Sequence, residues 1–340
     1  MAAAPAFAVA AIGVDHPHIF EMTREMIRAG TQVRAFFSPR DEPAAAYLSA
    51  FPDAIRVADE RAILEDPDIR LVLGAGVNAE RAPMAVKAMR HGKDVMLDKP
   101  GATTVAQLAE LKSTSEETGR FVTILYSEHL TQRATIRAGE LVAAGAIGQV
   151  IHTVGLGPHR LGTRRADWFF RRALYGGILA DIASHQFEQF LFFTGASGAE
   201  VTSARVANLA HPQHGEFQDL GEATLVANTG ASGYIRVDWF TPDGMPTWGD
   251  GRLFILGTEG QIELRKYVDV AGRPGGEHLF LVDRGGTRYI DCSDVTVNYG
   301  ERVRDDVINR TDTALDRERC FLAMELALKA QAKAERATPA

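Results

Sequence analysis

Residues Phe7-Ala8-Val9-Ala10-Ala11-Ile12-Gly13-Val14-Asp15-His16-Pro17-His18 form an apolar run that leads into a glycine turn. The segment that follows, Ile19–Ala29, has apolar residues at helical spacing and stops at Gly30, as helices commonly do. A short apolar strand, a glycine turn and an amphipathic helix form the repeating step of a parallel, helix-covered sheet.

The same alternation of strands and helices continues to about residue 125. It predicts a doubly wound parallel sheet of the Rossmann type over residues 1–126, with ligands at the carboxyl ends of its strands. The turns after Val14, Phe37, Leu73 and Leu97 therefore matter most. The short apolar strands are Val33–Phe37, Leu71–Leu73, Val95–Leu97 and Phe121–Leu125, and the helices are Pro43–Ala50, Pro83–Arg90 and Thr104–Thr118.

The remainder, residues 127–340, has a different pattern. A long apolar helix over Gly177–Phe193 is followed by β-rich runs from Val201 to Val282 that are joined by short turns. Consecutive strands with short connections predict an α/β domain with an open, mostly antiparallel or mixed sheet. A last helix, at about residues 313–336, is expected to pack back on the body.

Composition narrows the class of protein. The chain has 340 residues, and its 37 basic and 44 acidic side chains give a net charge of −7. A mildly acidic chain without a basic cluster is a poor candidate for binding nucleic acid or a membrane surface. No apolar stretch approaches the roughly 20 residues that span a bilayer, and no targeting segment stands out. Two cysteines, Cys292 and Cys320, fit a reducing cytoplasm.

The turn after the first strand occupies the place of a dinucleotide fingerprint, G-x-G-x-x-G. Gly13 fills the first position, whereas Asp15 and His18 stand at the second and third. A carboxylate beside a pyrophosphate costs about 4 kcal/mol at 4 Å and an effective dielectric near 20. Either Asp15 caps the following helix, or a phosphate binds there with partial compensation from His16 and His18.

The end of the second strand bears on cofactor choice. An NAD site usually carries an acidic residue there, but this chain has Ser38 with Arg40 close by. A hydroxyl and a guanidinium favour the 2′-phosphate of NADP over NAD. The alternative is that Arg40 is a solvent-exposed turn residue.

Two further motifs carry groups suited to proton transfer. The motif Asp98-Lys99-Pro100 follows a buried strand, so the Lys99 ammonium can orient a substrate hydroxyl. The alternative is that Lys99 is an ordinary solvated lysine. Asp181 and His185 are four residues apart, so one helix face carries a carboxylate and an imidazole. This pair is either an acid–base pair or a structural ion pair. Because no third ligand is evident, no metal is expected.

In order and spacing these motifs resemble the Gfo/Idh/MocA family, the glucose–fructose oxidoreductase and inositol dehydrogenase family. Asp98-Lys99-Pro100 is similar to its E-K-P signature, and Gly92–Val95 to the G-K-x-V lead-in. Gly145–Val150 resembles its G-x-I-G-x-V turn, and Gly177–His185 its G-G-x-x-x-D-x-x-x-H helix. The resemblance covers nearly the whole chain. It implies a Rossmann domain, a mixed-sheet domain that binds substrate, and NAD(P)-dependent chemistry on a secondary hydroxyl of a sugar, polyol or inositol.

The resemblance also implies residue roles. Lys99 would hold the reacting hydroxyl, Asp181 would bind substrate and tune the base, and His185 would take the hydroxyl proton. Pro100 would follow a cis peptide, as in relatives. Trp168 would either stack on a sugar ring or belong to the core. The expected cofactor-binding residues are Gly13, Asp15, His16, His18, Ser38, Arg40, Gly76, Asn78, Asp98 and Lys99. The substrate candidates are Tyr126, Glu128, His129, His159 and Trp168.

The sequence thus predicts an oxidoreductase that uses NADP or NAD, with NADP favoured by Ser38 and Arg40. A carbohydrate-like small molecule is its expected substrate, and a homodimer or homotetramer is expected through the carboxy-terminal sheet. Two alternatives stay open. The altered glycine turn is compatible with a ligand-binding or regulatory protein that has lost hydride transfer, and a tightly held cofactor would suit redox-neutral sugar chemistry.

Overall fold

In a computed structural model, residues 7–162 and 165–337 are described. The chain forms two compact units. The first contains residues up to Leu125 together with Ala173–Gly176 and Asn298–Phe321, and the second contains Tyr126–Arg172, Gly177–Val297 and Leu322 onward. The expected single division at residue 126 is therefore too simple, because the chain returns to the first unit twice.

Polar contacts explain why the late segment Asn298–Phe321 belongs to the first unit. The Arg310 guanidinium lies 2.6 Å from a carboxylate oxygen of Asp94. The hydroxyls of Tyr299 and Thr123 lie 3.3 Å apart inside the unit. Nothing in the amino-acid pattern of the late segment indicates these partners, which are about 175 to 215 residues away along the chain.

A parallel six-stranded sheet forms the centre of the first unit, in the order β3-β2-β1-β4-β5-β6. Every residue of the first and fifth strands is buried, as expected for strands covered by helices on both faces. The predicted Rossmann-type sheet is confirmed. Its strands are β1 Ala8–Ile12, β2 Gln32–Phe37, β3 Ile55–Arg56, β4 Ile69–Gly74, β5 Asp94–Asp98 and β6 Val122–Leu125.

Helices connect these strands. The α5 helix shows the local logic: the Thr104 hydroxyl accepts a hydrogen bond from the Gln107 backbone N–H, and Gly119 ends the helix at φ +62°. The helices are α1 His18–Arg28, α2 Asp41–Ala50, α3 Arg61–Leu64, α4 Asn78–Arg90, α5 Val105–Thr118 and, from the late segment, α11 Tyr299–Asn309.

The second unit contains an eight-stranded sheet in the order β14-β13-β12-β11-β7-β10-β9-β8. The pairing of β7 with β10 is parallel and the other pairings are antiparallel, so the predicted mixed sheet is confirmed. The strands are β7 Val150–Pro158, β8 Ala199–Ala207, β9 Leu220–Ala227, β10 Ser232–Asp238, β11 Arg252–Gly257, β12 Gly260–Arg265, β13 His278–Asp283 and β14 Gly286–Ile290.

The expected helix over Gly177–Phe193 is instead two helices. The first ends at Asp181 and the second begins at Ser184, whose hydroxyl donates to the Asp181 carbonyl over 3.2 Å. The His185 N–H reaches back only three residues, to Ile182, so the regular helical ladder is interrupted between the two motif residues. The premise that Asp181 and His185 share one continuous helix face is therefore wrong.

The remaining helices are α6 Ser127–Leu130, α7 Arg133–Ala143, α8 Arg172–Tyr175, α9 Ile178–Asp181, α10 Ser184–Thr194 and α12 Arg317–Ala337, with a 3₁₀ turn over Asp167–Phe170. The final helix thus begins about four residues later than the sequence predicts. Within the described ranges, no helix combines the length and apolar character that crossing a membrane requires.

Two glycines of β7 allow α10 to pack closely on the sheet. A Cβ placed on Gly155 would lie 2.9 Å from the Gln186 side chain, and one on Gly157 would lie 2.8 Å from its amide nitrogen. Because a glycine has no Cβ, the Gln186 side chain lies flat across the strand. This packing fixes the position of His185, the neighbouring residue.

Candidate active site

The carboxyl ends of β1 and β4 meet at two glycines. Gly13 has φ +76°, and a Cβ on it would lie 2.8 Å from the Gly76 Cα atom. The His16 N–H also donates to the Ala75 carbonyl over 2.8 Å. Only glycine fits both the backbone angle and the close approach at residue 13. The two turns therefore form one edge at the end of the sheet where ligands of this fold bind.

Asp15 forms an ion pair with Arg40. The Arg40 Nη1 atom lies 3.0 and 3.1 Å from the two Asp15 carboxylate oxygens, and Nη2 lies 2.7 Å from Glu80. Burial raises the pKa of Asp15, and the Arg40 charge opposes that rise. Within the described ranges, the N-cap residue Pro17 makes no side-chain cap for α1, and the Asp15 carboxylate binds Arg40 instead, so the helix-capping interpretation of Asp15 is wrong. Arg40 balances the negative charge that the altered glycine turn introduces.

Ser38 has a structural contact. Its hydroxyl is buried and donates to the Arg40 carbonyl over 3.1 Å, and it lies 3.3 Å from the Arg40 N–H. These bonds close the turn after β2 and direct the arginine toward Asp15. The alternative interpretation of Arg40 as a solvent-exposed turn residue is partly right, because its side chain is 37% exposed, but two carboxylates hold it.

Asp98 joins three basic side chains at the end of β5. His18 Nδ1 and His16 Nδ1 lie 2.8 and 3.1 Å from its two oxygens, and Arg81 lies 3.1 Å from the second oxygen. Although burial acts to raise it, the charges of His18 and Arg81 hold the pKa of Asp98 well below its usual range. The sequence did not predict this grouping, since the two histidines were expected only as phosphate ligands.

His16 is neutral at physiological pH. Burial, with further contributions from His18 and Lys99, lowers the pKa of His16 to about 3 in spite of Asp98. Ligand atoms of His16, His18 and Asp98 lie within 4.8 Å of one another, a spacing compatible with a metal ion. The buried Arg81 guanidinium already balances the Asp98 charge, which weakens the case for a cation there.

Arg81 links two strand ends, those of β4 and β5, through its side chain. Its Nε donates to the Gly76 carbonyl over 2.9 Å, and its Nη1 donates to the Lys99 carbonyl. The side chain is fully buried and pairs with Asp98. Arg81 therefore positions the backbone of Lys99, whose peptide bond to Pro100 is cis, as the resemblance implies. Lys99 itself is 4% exposed.

A cavity of about 350 Å³ opens beside these groups, at the carboxyl ends of β1 and β2 and the start of α4. Gly13, Gly76, Glu80 and Arg81 line it together with apolar side chains that include Phe37 and Met84. Asn78, at the first turn of α4, donates from its amide to the Tyr175 carbonyl over 2.8 Å. A cavity with mainly apolar walls and a few polar groups is typical of a small-molecule binding site.

In the second unit, Asp181 and His185 are both buried. The His185 ring meets the ring of Tyr126 edge-on, with centroids 6.3 Å apart. Burial lowers the pKa of Arg165, and the Asp181 charge opposes that change. The Arg165 guanidinium lies over the Trp239 ring at 4.7 Å. The aspartate thus has a cationic neighbour in its own unit.

The substrate candidates of the second unit differ in their surroundings. His129 pairs with Glu188 at 2.9 Å and stacks on Phe192 at 3.9 Å, which makes it part of the interior. His159 lies between Trp239 and Trp248, with ring centroids 5.3 and 4.5 Å away.

Trp168 is half-buried and packs against Phe169 at 5.4 Å. Its contacts are those of a residue at the edge of the core. The exposed tryptophan of this unit is instead Trp248, with 45% of its surface accessible.

Glu128 is the substrate candidate with the most unusual environment. Its carboxylate is buried and lies 2.6 Å from the ammonium of Lys266, which is also buried. The Gln186 amide donates to the same carboxylate oxygen over 2.9 Å. Although burial acts to raise it, Lys266 and then His185 lower the pKa of Glu128 to about 2.

Three residues of the site were missed by reasoning from sequence: Arg81 as the link between strand ends, Lys266 and Trp248. Lys266 follows an alternating strand, where a lysine ordinarily faces solvent. A buried partner for it is visible only once β12 and α6 are placed together.

This geometry defines a class of protein: a Rossmann-type nucleotide-binding unit, with a lysine at a strand end, joined to a mixed-sheet unit with a buried histidine. Residues 7–126 match a family described as an oxidoreductase family with an NAD-binding Rossmann fold, and residues 135–263 match the GFO/IDH/MocA C-terminal domain. The chain belongs to the Gfo/Idh/MocA family of oxidoreductases.

Individual relatives and a solved structure are consistent with this family assignment. The crystal structure of an oxidoreductase from Erwinia carotovora atroseptica SCRI1043 is 41% identical, with a TM-score of 0.95 over 96% of this chain and 98% of that one. A 1,5-anhydro-D-fructose reductase from Ensifer adhaerens is 30% identical over 52% of this chain and 54% of its own.

A third relative, the scyllo-inositol 2-dehydrogenase (NAD(+)) from Bacillus subtilis, is 28% identical over 72% of this chain and 67% of its own. The chain therefore spans about half to two thirds of the length of these two curated relatives. The relatives are named as a reductase and a dehydrogenase of a sugar derivative and an inositol.

Proposed function

We propose that this protein transfers a hydride between a nicotinamide cofactor and a secondary hydroxyl or ketone of a sugar, polyol or inositol. The observation that carries the proposal is the cavity at the ends of β1 and β2, which Gly13 and Gly76 line. In the same glycine turn, Arg40 balances the charge of Asp15. Because that balance offsets the charge of Asp15, the altered glycine turn is compatible with a pyrophosphate.

The proposed residue roles follow the chemistry of alcohol oxidation. A bound nicotinamide would supply the hydride acceptor, and the protein must hold the alcohol and remove its proton. Lys99 is proposed to orient the hydroxyl through its ammonium, and His185 to take the hydroxyl proton at an imidazole nitrogen. Asp181 is proposed to bind substrate and to favour the protonated imidazole. In the reverse direction, His185 returns the proton to the ketone oxygen.

For the cofactor we propose NAD in preference to NADP, which reverses the expectation from Ser38 and Arg40. The Arg40 guanidinium is already engaged by Asp15 and Glu80. With one guanidinium and two carboxylates this group has a net charge of −1, which disfavours a further dianionic phosphate.

A homo-oligomer formed through the open face of the second sheet is also part of the proposal. Phe254 and Leu256 of β11 are 37% and 42% exposed, and they pair across the sheet with Val154 and His152. An apolar patch of this kind favours a protein contact. A cytoplasmic location is supported by Cys292 and Cys320, which are buried free thiols.

The test is direct. Purified full-length protein is titrated with NADH and NADPH by nicotinamide fluorescence, and scyllo-inositol, levoglucosan and D-xylose are then offered with the oxidised cofactors. We expect wild type to bind the cofactor and to produce reduced cofactor. Lys99→Met and His185→Asn should abolish turnover or slow it at least 100-fold. Cofactor binding without turnover of any hydroxyl compound would favour the ligand-binding alternative instead.

A further inference from the structure

A buried ion pair in the second unit has unused hydrogen-bonding capacity. The side chains of Glu128 and Lys266 are 2% and 1% exposed, and one Glu128 oxygen accepts from Lys266 over 2.6 Å. Among the described residues, the other Glu128 oxygen has no hydrogen-bond partner. Since a buried acceptor without a donor is costly, such an atom calls for a ligand or another explanation.

Neighbouring amides show the same excess of acceptors. Gln186 donates its amide to Glu128 over 2.9 Å, and within the described ranges its own carbonyl oxygen lacks a donor. The Gln189 side-chain oxygen is in the same situation, while its amide donates to the His185 carbonyl over 3.0 Å. Among the described residues, therefore, three buried side-chain oxygens near the proposed base lack a hydrogen-bond donor.

The ion pair also lies near an aromatic cluster formed by Tyr267, Trp248 and His159. Tyr267 directly follows Lys266, and its ring lies 4.6 Å from the ring of Trp248. Trp248 in turn lies 4.5 Å from His159 and is 45% exposed. An exposed tryptophan ring offers a flat apolar surface that suits the C–H face of a sugar or cyclitol.

A buried pair of this kind is weak evidence for stability, because removing two charges from water costs about as much as their attraction returns. The lysine has three N–H donors, and the structure shows one hydrogen bond from it, to Glu128, among the described residues. Glu128 offers an acceptor and Lys266 offers donors at the same place. A hydroxyl group is the ligand that needs both, since it donates one hydrogen bond and accepts others.

We propose that Glu128 and Lys266 form a hydroxyl-binding subsite that selects neutral polyhydroxylated substrates over those with a carboxylate at the same position. A substrate hydroxyl donates to the unpartnered Glu128 oxygen and accepts from the Lys266 ammonium. A carboxylate has no proton to donate and would face the Glu128 charge. This inference rests on the proposed function, because it assigns a substrate class to the same site.

The test measures equilibrium binding by calorimetry to the full-length protein with NADH present, so that no alcohol is oxidised. The probes are scyllo-inositol, levoglucosan and D-xylose as neutral compounds and D-glucuronate as the anion. We expect wild type to bind at least one neutral probe at least 10-fold more tightly than D-glucuronate. Glu128→Gln should weaken that neutral probe at least 10-fold and reduce the preference to below 3-fold.

The matched control is Glu188→Gln, which alters another buried carboxylate, the one paired with His129. It should bind every probe within 2-fold of wild type. If either single variant of the pair does not fold, the double variant Glu128→Gln/Lys266→Met removes both charges together and serves in its place. If both Glu128→Gln and the double variant fold, the double variant should lose little more affinity than Glu128→Gln, because both residues bind one hydroxyl.

The two proposals fail separately. Polyol binding that depends on Glu128, without hydride transfer, would refute the proposed function and leave the subsite in place. Oxidation of a polyol by a Glu128→Gln protein that behaves like Glu188→Gln would overturn the subsite alone. Wild type that binds no neutral probe, or binds D-glucuronate more tightly, would also overturn it.

Discussion

The buried imidazole of His16 makes the first unit less stable in mild acid. Its pKa is lowered from 6.5 to about 3, chiefly by burial, so the folded ring stays neutral while the ring of the unfolded chain takes up a proton below about pH 6.5. The unfolded state then binds more protons, and stability falls as the pH drops from 6.5 toward 3. Between pH 7 and pH 5 the loss from this residue alone is about 2 kcal/mol.

Two measurements check the lowered His16 pKa and the loss of stability that follows from it. In an NMR titration of the imidazole signals, the His16 ring should show no transition between pH 8 and pH 4.5. Hydrogen exchange of the slowest amides of β1 gives the unfolding free energy of that region at each pH. We expect the loss between pH 7 and pH 5 to be about 2 kcal/mol smaller in His16→Gln, which cannot titrate.

The expected pH dependence requires that the His16 ring stays neutral beside Asp98, His18 and Lys99, which also act on its pKa. A His16 transition near pH 6.5 would refute it. So would an equal loss of stability in wild type and His16→Gln, because the acid sensitivity would then belong to other groups.

Three other predictions concern separate regions. Glu80→Gln frees part of the Arg40 guanidinium, so the ratio of NADP to NAD affinity should rise about 3- to 10-fold in fluorescence titrations; an unchanged ratio would contradict this. Arg81→Met removes the arginine that pairs with buried Asp98 and should lower the unfolding free energy by about 3–5 kcal/mol in urea, whereas a loss below 1 kcal/mol would show that the pair contributes little. Leu256→Glu should convert the proposed oligomer to monomers in light scattering, and an unchanged mass would exclude this face as the interface.

Much of the first unit was predictable from the sequence, because a parallel sheet buried on both faces leaves strong local signals. Short apolar strands such as β1 and β5 alternate with helices that end at glycines, for example Gly119. These signals are local, so one pass along the chain finds them.

Contacts between distant segments could not be predicted in this way. Arg310 reaches Asp94 across 216 residues, and Lys266 reaches Glu128 across 138. An arginine or lysine at either place has the same local pattern as a solvated one. The partners appear only when the fold brings the two segments together.

In the candidate site, too, local motifs were predictable from the sequence and contacts between distant residues were not. The motif residues Lys99, Asp181 and His185 were identified by spacing and resemblance, and their catalytic roles stay predictions. The continuous helix face assumed for Asp181 and His185 was wrong, since periodicity does not reveal the break between α9 and α10. The NADP preference was inferred from Arg40 without Glu80, which pairs with the same guanidinium but lies 40 residues away in sequence.

Hydride transfer from a polyol to NAD is tested most directly by a single-turnover assay of the full-length protein with NAD and a polyol that it binds. Hydride transfer is followed by the absorbance of the reduced nicotinamide in wild type, Lys99→Met, His185→Asn and the control Glu188→Gln. We expect reduction of the cofactor by wild type and by the control, and at least a 100-fold slower hydride transfer in Lys99→Met and His185→Asn. Equal rates in all four proteins, or no cofactor binding at all, would contradict it.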